Sequence, residues 1–148
     1  MISEKVVAVS GGFDPIHPGH LRLMQEARKL GDRLIVILNN DNWLIQKKGY
    51  AFFKEEQRRE LLEAYPFVSK AVITKHAQHD LDRSVCLQLQ EIKPHIFANG
   101  GDRVAGNIPE YELCEKLGIT MFFNVGGGKI ESSSELIAKA MAAMEYAA

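Results

Sequence analysis

The sequence predicts an α/β protein built on a doubly wound sheet of five parallel strands. Short aliphatic runs alternate five times with segments of helical period, and no stretch repeats internally or is of low complexity. The 148 residues also match one domain of roughly 150, so 1–148 is read as a single domain. Right-handed crossovers between parallel strands put helices on both faces of such a sheet. Ligands then sit beyond the carboxyl ends of the strands, near the point where the strand order reverses. The polar segments that follow strands are therefore where function is sought.

Residues 5–10 read KVVAVS, a β-branched run stopped by Gly11 and Gly12, and make the first strand. From 18 to 30 the apolar positions Leu21, Met24, Ala27 and Leu30 recur about every three residues, which gives a helix that Gly31 is placed to cap. Residues 33–38 are the second strand, ending at Asn39, Asn40 and Asp41. The segment 42–53 has no period and carries Gln46, Lys47, Lys48 and Gly49, so it is expected as a long loop and a candidate substrate lid. Strong helix formers over 54–64 end before Pro66, 71–74 is the third strand, and 81–92 is a helix capped by Asp80. Residues 95–98 form the fourth strand. Pro109 stands in the first turn of a helix to Leu117, and Gly118 ends it before the fifth strand, 119–124. The last helix opens at Ser132, Ser133 and Ser134. Its almost all-apolar face, with Met141, Met144 and Tyr146, would suit contact with a second copy, so a homodimer is expected.

Composition narrows the function. With 46% hydrophobic, 25% charged and 8% aromatic residues, the chain is neither disordered, collagen-like nor membrane-embedded in character. A net charge of −1 gives no global field toward nucleic acid or anionic lipid, and neither is expected as a partner. Cys86 and Cys114 lack CxxC spacing or a Cys/His series, which argues against a disulfide framework or structural zinc and makes the cytoplasm the expected compartment. Residues 1–5 lack the apolar core of a leader, and the aliphatic runs are too short to span a bilayer, so no membrane association is expected.

The most informative stretch is 11–20, GGFDPIHPGH. It is neither a Walker loop nor the GxGxxG of a dinucleotide fingerprint. Two histidines three apart at a helix start would project their rings to one side, beside backbone N–H groups without helical partners. That is an anion site with two added donors, and polyphosphate is its natural ligand. A second HxxH, His76 and His79, precedes Asp80; it suits either a metal site with an open position or a loop leading into a capped helix.

GGFDPIHPGH resembles the HxGH signature of the cytidylyltransferase-like nucleotidyltransferases, and later segments follow that family in order. ARKLGD at 27–32, Asn39 to Asp41 before Lys48 and Gly49, EQRRELLEA at 56–64, NGGDR at 99–103 and ESSSEL at 131–136 resemble its heptose-phosphate and glycerol-phosphate branch. The resemblance implies a Rossmann-like fold and transfer of a nucleoside monophosphate from ATP or CTP to a small phosphorylated acceptor. Pyrophosphate would be released, and Mg²⁺ would be held mainly through the phosphates, with no protein side chain as a metal ligand. It further implies that His17, His20 and Lys48 are catalytic. Gly11, Gly12, Phe13, Asp14, Gly101, Asp102, Arg103, Ser132, Ser133 and Ser134 join both histidines in binding nucleotide, and Lys47, Lys48 and Arg58 hold the acceptor phosphate. Heptose 1-phosphate is the first acceptor expected. An adenylyltransferase of cofactor synthesis, acting on phosphopantetheine, nicotinamide mononucleotide or FMN, is the rival enzyme, and a nucleotide-binding module without turnover is the rival outside enzymes.

Each motif also has a plainer reading. An HxxH at a helix start can be a capping pair, two lysines a solvated surface, three serines an N-cap, and Gly126, Gly127 and Gly128 before Lys129 a flexible connection. Their ordered placement after successive strands is what sets these segments apart.

Overall fold

A computed structural model describes residues 3–101, 108–127 and 132–147. β1 (Val6–Gly11) occupies the centre of the sheet because it is apolar on both faces, with Val7, Ala8 and Val9 fully buried. β2 (Arg33–Leu38) lies parallel to it, with Val6 opposite Arg33 and Gly11 opposite Leu38. β3 (Lys70–Ile73) extends the sheet beyond β2, while β4 (Ile96–Ala98) pairs with the other side of β1 and β5 (Thr120–Phe122) with β4. The order β3-β2-β1-β4-β5, all parallel, is the doubly wound sheet that the alternation predicts.

Among the described residues, the connecting helices are α1 (Pro18–Arg28), α2 (Asp41–Lys48), α3 (Glu55–Glu63), α4 (Cys86–Ile92), α5 (Glu110–Leu117) and α6 (Ser133–Ala147). Successive strand residues point to opposite faces, so two cores form. Val7, Val9, Leu34, Val36 and Leu38 pack with Met24 and Ala27 of α1 and Leu62 of α3. Ala8, Ile37 and Phe97 pack on the other face with Leu89 of α4 and Cys114 of α5. The chain moves from β1 outward to β3, then returns to β4 on the other side of β1, and right-handed crossovers carry α4 and α5 to the second face. The carboxyl ends of β1 and β4 consequently border a crevice. No described helix is long and apolar enough to cross a membrane.

Three local expectations are corrected. The loop expected over 42–53 is helical in its first part. Asn40 caps α2 by accepting from Trp43 N at 3.0 Å, Asp41 lies in the first turn, Lys47 and Lys48 lie in the last, and Gly49 closes it at φ +88° with its N–H on Ile45 O. Only Leu44 of α2 is buried, so an apolar period was never there to read. The helix expected from 81 begins at Cys86 instead. Asp80 accepts from Ala77 N and Asp82 N, and Asp82 accepts from Ser84 N and Oγ; these local bonds hold 80–84 in turns that compete with helix. Gly31 does not cap α1, whose C-cap is Lys29; a Cβ at Gly31 would stand 2.7 Å from Lys5 O, so this glycine serves the close passage of its turn against the segment before β1.

The second HxxH is part of the same turn structure. His76 is buried, with Nδ1 2.8 Å from Thr74 Oγ1 and Nε2 3.0 Å from Ser84 O, whereas His79 is exposed on a turn. Both His76 nitrogens are thus engaged within the protein, and no His, Cys, Asp or Glu cluster suited to a metal occurs among the described residues. Cys86 and Cys114 are free thiols, and burial pushes Cys114 up to about 11.

Candidate active site

A cleft of about 740 Å³ opens beyond the carboxyl ends of β1, β2, β4 and β5. Its lining includes Gly11, Gly12 and Phe13 after β1, Asn39 after β2, Gly100 and Gly101 after β4, and Gly126 and Gly127 after β5. The N-terminal ends of α1 and α6 border it, and α2 supplies a further wall.

His17 is the N-cap of α1, and its Nδ1 accepts from Gly19 N at 3.0 Å. His20 reaches back so that its Nδ1 accepts from His17 N at 3.2 Å. The rings stack with centroids 3.8 Å apart, and Phe13 meets His20 edge-on at 4.9 Å. Because each Nδ1 accepts, each neutral ring carries its proton on Nε2 and is a donor there. Burial, then His17, then Lys48 lower the His20 pKa from 6.5 to about 3, so this ring donates without carrying charge at working pH. The intervening glycine has a steric reason as well: a Cβ at Gly19 would lie 2.8 Å from His17 Cε1.

Lys47 and Lys48 both line the cleft from the last turn of α2. Lys48 Nζ donates to Asp14 O at 3.1 Å, and its pKa lies below the usual lysine value, chiefly through burial, with Asp14 opposing and Arg58 adding to the shift. Lys47 Nζ sits 4.8 Å from the centre of the Trp43 ring.

Two residues expected at the ligand are placed elsewhere. Asp14 is buried, with its carboxylate accepting from Phe52 N at 2.5 Å and Phe53 N at 2.8 Å, so it ties the loop before α3 to the turn after β1. Arg58 is fully buried and donates to Phe53 O, Gly12 O, Asn39 O and Asp41 Oδ1 at 2.6–2.9 Å. Its guanidinium is committed to three carbonyls and a carboxylate beneath the cleft, which corrects the expectation of a phosphate contact.

Ser132, Ser133 and Ser134 all border the cleft. Ser132 Oγ accepts from Glu135 N at 3.1 Å and so caps α6, while Ser133 Oγ donates to Pro15 O at 2.8 Å. That second bond fastens the start of α6 to the loop between β1 and α1. Gly126, at φ +85°, lets the chain pass α1, since a Cβ there would meet Leu23 backbone at 2.9 Å. Gly101 borders the cleft; Asp102 and Arg103, together with Gly128, Lys129 and Glu131, lie outside the described residues.

Ser10, Asn39, Trp43 and Tyr50 also line the cleft, although none was singled out as a ligand-binding residue from the sequence. Trp43 and Tyr50 fall in the segment expected as loop, where no period indicated which side chains turn inward. Asn39 carried two signals, its place immediately after a strand and its part in the Asn39–Asp41 segment that resembles the family.

Fold and site together define a doubly wound α/β protein of nucleotide-binding architecture, with two helix N-termini and a histidine pair at its switch point. The chain belongs to the cytidylyltransferase-like family, whose description matches residues 8–122. It is 39% identical over 111 residues to an FAD synthase of Archaeoglobus profundus, covering 75% of this chain and 65% of that protein. An FAD synthase of Picrophilus torridus is 32% identical over 133 residues, 88% of this chain and 91% of that one. The bifunctional protein HldE of Desulfatibacillum aliphaticivorans is 28% identical over 117 residues, 78% of this chain and 23% of that protein. The chain thus spans less than two thirds of the Archaeoglobus protein and about a quarter of HldE. Among solved structures, a lipopolysaccharide core biosynthesis protein from Thermoplasma volcanium superposes with a TM-score of 0.64 at 28% identity, over 82% of this chain and 94% of that one.

Proposed function

We propose that the protein is a nucleotidyltransferase that moves AMP from ATP onto the phosphate of a small acceptor and releases pyrophosphate. The observation that carries this reading is the convergence on one cleft of the α1 N-terminus with His17 and His20, the α6 N-terminus with Ser132, Ser133 and Ser134, and the lysine pair of α2. Helix N-termini, imidazole N–H groups and ammonium groups all favour a polyanion. No carboxylate occurs in the described lining. With that donor set, Mg²⁺ would enter on the phosphates of the NTP, neutralising part of their charge, and the protein would grip the oxygens it leaves.

In the reaction an acceptor phosphate oxygen forms a bond to the α-phosphorus, and the bond from that phosphorus to the bridging oxygen breaks. The electron pair leaves with pyrophosphate. The attacking phosphate is already ionised, so no protein base is needed and no covalent intermediate forms. His17 and His20 would donate from Nε2 to oxygens on which charge grows, Lys48 would add a positive charge, and the helix termini would hold the leaving group. Catalysis here is positioning and electrostatic stabilisation.

FMN is placed first as acceptor, ahead of heptose 1-phosphate, because the FAD synthases reach 39% identity whereas the HldE proteins are 28–33% identical. The test is a matrix of ATP and CTP against FMN, heptose 1-phosphate, glycerol 3-phosphate, phosphopantetheine and nicotinamide mononucleotide, with products identified by mass. ATP with FMN is expected to yield FAD. Conjugation of a sugar phosphate instead would restore heptose 1-phosphate as first choice, and nucleotide binding without any conjugate would favour a module that does not turn over.

A further inference from the structure

α2 carries Lys47 and Lys48 into the cleft, yet Leu44 is its one buried residue, so apolar packing does little to place it. Its first turn is held from one side, where Asp41 Oδ1 accepts from Arg58 Nη2 at 2.8 Å and Asp41 N donates to Glu55 Oε1 at 3.0 Å. Further bonds come from a different part of the chain. Asn40 Nδ2 and Asn42 Nδ2 each donate to His76 O at 2.9 Å, Trp43 Nε1 donates to Arg83 O at 2.9 Å, and Gln46 Nε2 donates to Asp80 O at 3.3 Å. These carbonyls all belong to the segment 76–84. The Trp43 ring also meets both Lys47, whose Nζ is 4.8 Å from its centre, and Arg83, whose guanidinium carbon is 5.3 Å away.

Segment 76–84 has neither helix nor strand to fix it, and His76 and Ser84 are its buried residues. The His76 ring joins its two ends. Ser84 O only accepts, so Nε2 donates to it at 3.0 Å, and Nδ1, 2.8 Å from Thr74 Oγ1, takes the hydrogen of that hydroxyl. Thr74 Oγ1 in turn accepts from Asn40 N at 3.0 Å, at the cap of α2. A line of donors therefore runs from the start of α2 through Thr74 and His76 to Ser84. The turns at Asp80 and Asp82 are local, whereas the imidazole closes the whole segment.

We infer that His76 is a positioning residue for the reaction, whose ring closes 76–84 into a bracket that sets α2, and with it Lys47 and Lys48, against the cleft. His76 itself does not border the cleft. A cation that acts on developing charge has to be held in place by neighbours that never touch the substrate, and His76 is such a neighbour. Its part in the reaction rests on the nucleotidyl-transfer reading; the bracket does not.

Trp43 is the one tryptophan of the chain, so its emission reports the bracket. In His76→Leu, Ser84 O loses its donor and the Thr74 hydroxyl its acceptor. Emission of the ligand-free protein is expected to shift to the red as the indole leaves Arg83 O for water. The kcat/KM for ATP, measured per folded molecule at low temperature, should fall about tenfold. A purely structural role would lower stability and leave both readouts as in wild type. The same substitution is then made in a protein carrying Lys47→Ala and Lys48→Ala, where it should change kcat/KM by less than about twofold, because the groups it positions are gone. If His76→Leu does not fold, as judged by circular dichroism and melting, Asn42→Ala with Gln46→Ala decides by the same measurements, since neither residue is buried and both donate to the bracket. The inference is overturned if the deciding variant keeps wild-type emission, keeps wild-type kcat/KM, or loses equally with and without the lysines. If wild type makes no conjugate, the transfer reading fails by itself, and the same cycle run on binding of inorganic tripolyphosphate decides the bracket.

Discussion

At the scale of single residues, the histidine pair shows how the main chain chooses a tautomer. Gly19 N and His17 N each donate to an imidazole Nδ1, so the protons reside on Nε2. His17→Ala and His20→Ala are each expected to lower kcat about 10²-fold, with little change in NTP affinity, because the donors act on charge that develops in the transition state. Steady-state kinetics with a parallel binding measurement checks this. The His20 ring should not titrate between pH 8 and 5 in NMR spectra of the ligand-free protein. The sign of the linked stability follows. His20 binds its proton near pH 3 when folded and near 6.5 when unfolded, so its contribution is whole above pH 6.5 and is lost as pH falls toward 3. His20→Gln, which does not titrate, should show a flatter decline in stability over that window. The HxGH spacing was legible because it needs only local geometry. Trp43 and Tyr50 were not, because the segment that carries them has no apolar period to show which side chains turn toward the cleft.

At the scale of elements, Arg58 joins what the sequence kept apart. Its four short bonds run from α3 to the loop before it, to the turn after β1, to the end of β2 and to the first turn of α2. Motif order suggested a phosphate ligand because arginine serves either role; only burial separates them. Arg58→Lys keeps the charge and loses the fork. It is expected to cost about 2–4 kcal/mol of stability, through buried carbonyls left without donors, and to leave the ATP KM within about twofold in the folded fraction. Urea unfolding and kinetics at low temperature test the two halves. A stable protein with a large rise in ATP KM would return Arg58 to the phosphate. Missing α2 and lengthening α4 have one cause: caps and Asx turns at Asn40, Asp80 and Asp82 decide those boundaries, whereas apolar period decides only which face a helix buries. Where burial and period coincide, as in α1 with Met24 and Ala27, the element was legible throughout.

At the scale of the whole molecule, the strand order follows from pattern and handedness together. Strands buried on both faces, like β1 and β2, read as continuous apolar runs and can only be central; β5, with Thr120 and Phe122 exposed, reads as an edge. That placement puts the described loops after β1, β2, β4 and β5 on one end of the sheet, where they line the cleft, whereas ARKLGD at 27–32 leads into β2 at the other end. The central claim is that this cleft directs an acceptor phosphate to the α-phosphorus of an NTP. Phosphorus NMR of the purified protein with ATP, Mg²⁺ and FMN follows each phosphorus directly. The expected result is equal growth of pyrophosphate and of a diphosphate diester carrying both the ATP α-phosphorus and the FMN phosphorus. Appearance of ADP with a phosphorylated acceptor, or of ADP and orthophosphate, would place the cleavage at the γ-phosphorus and contradict it.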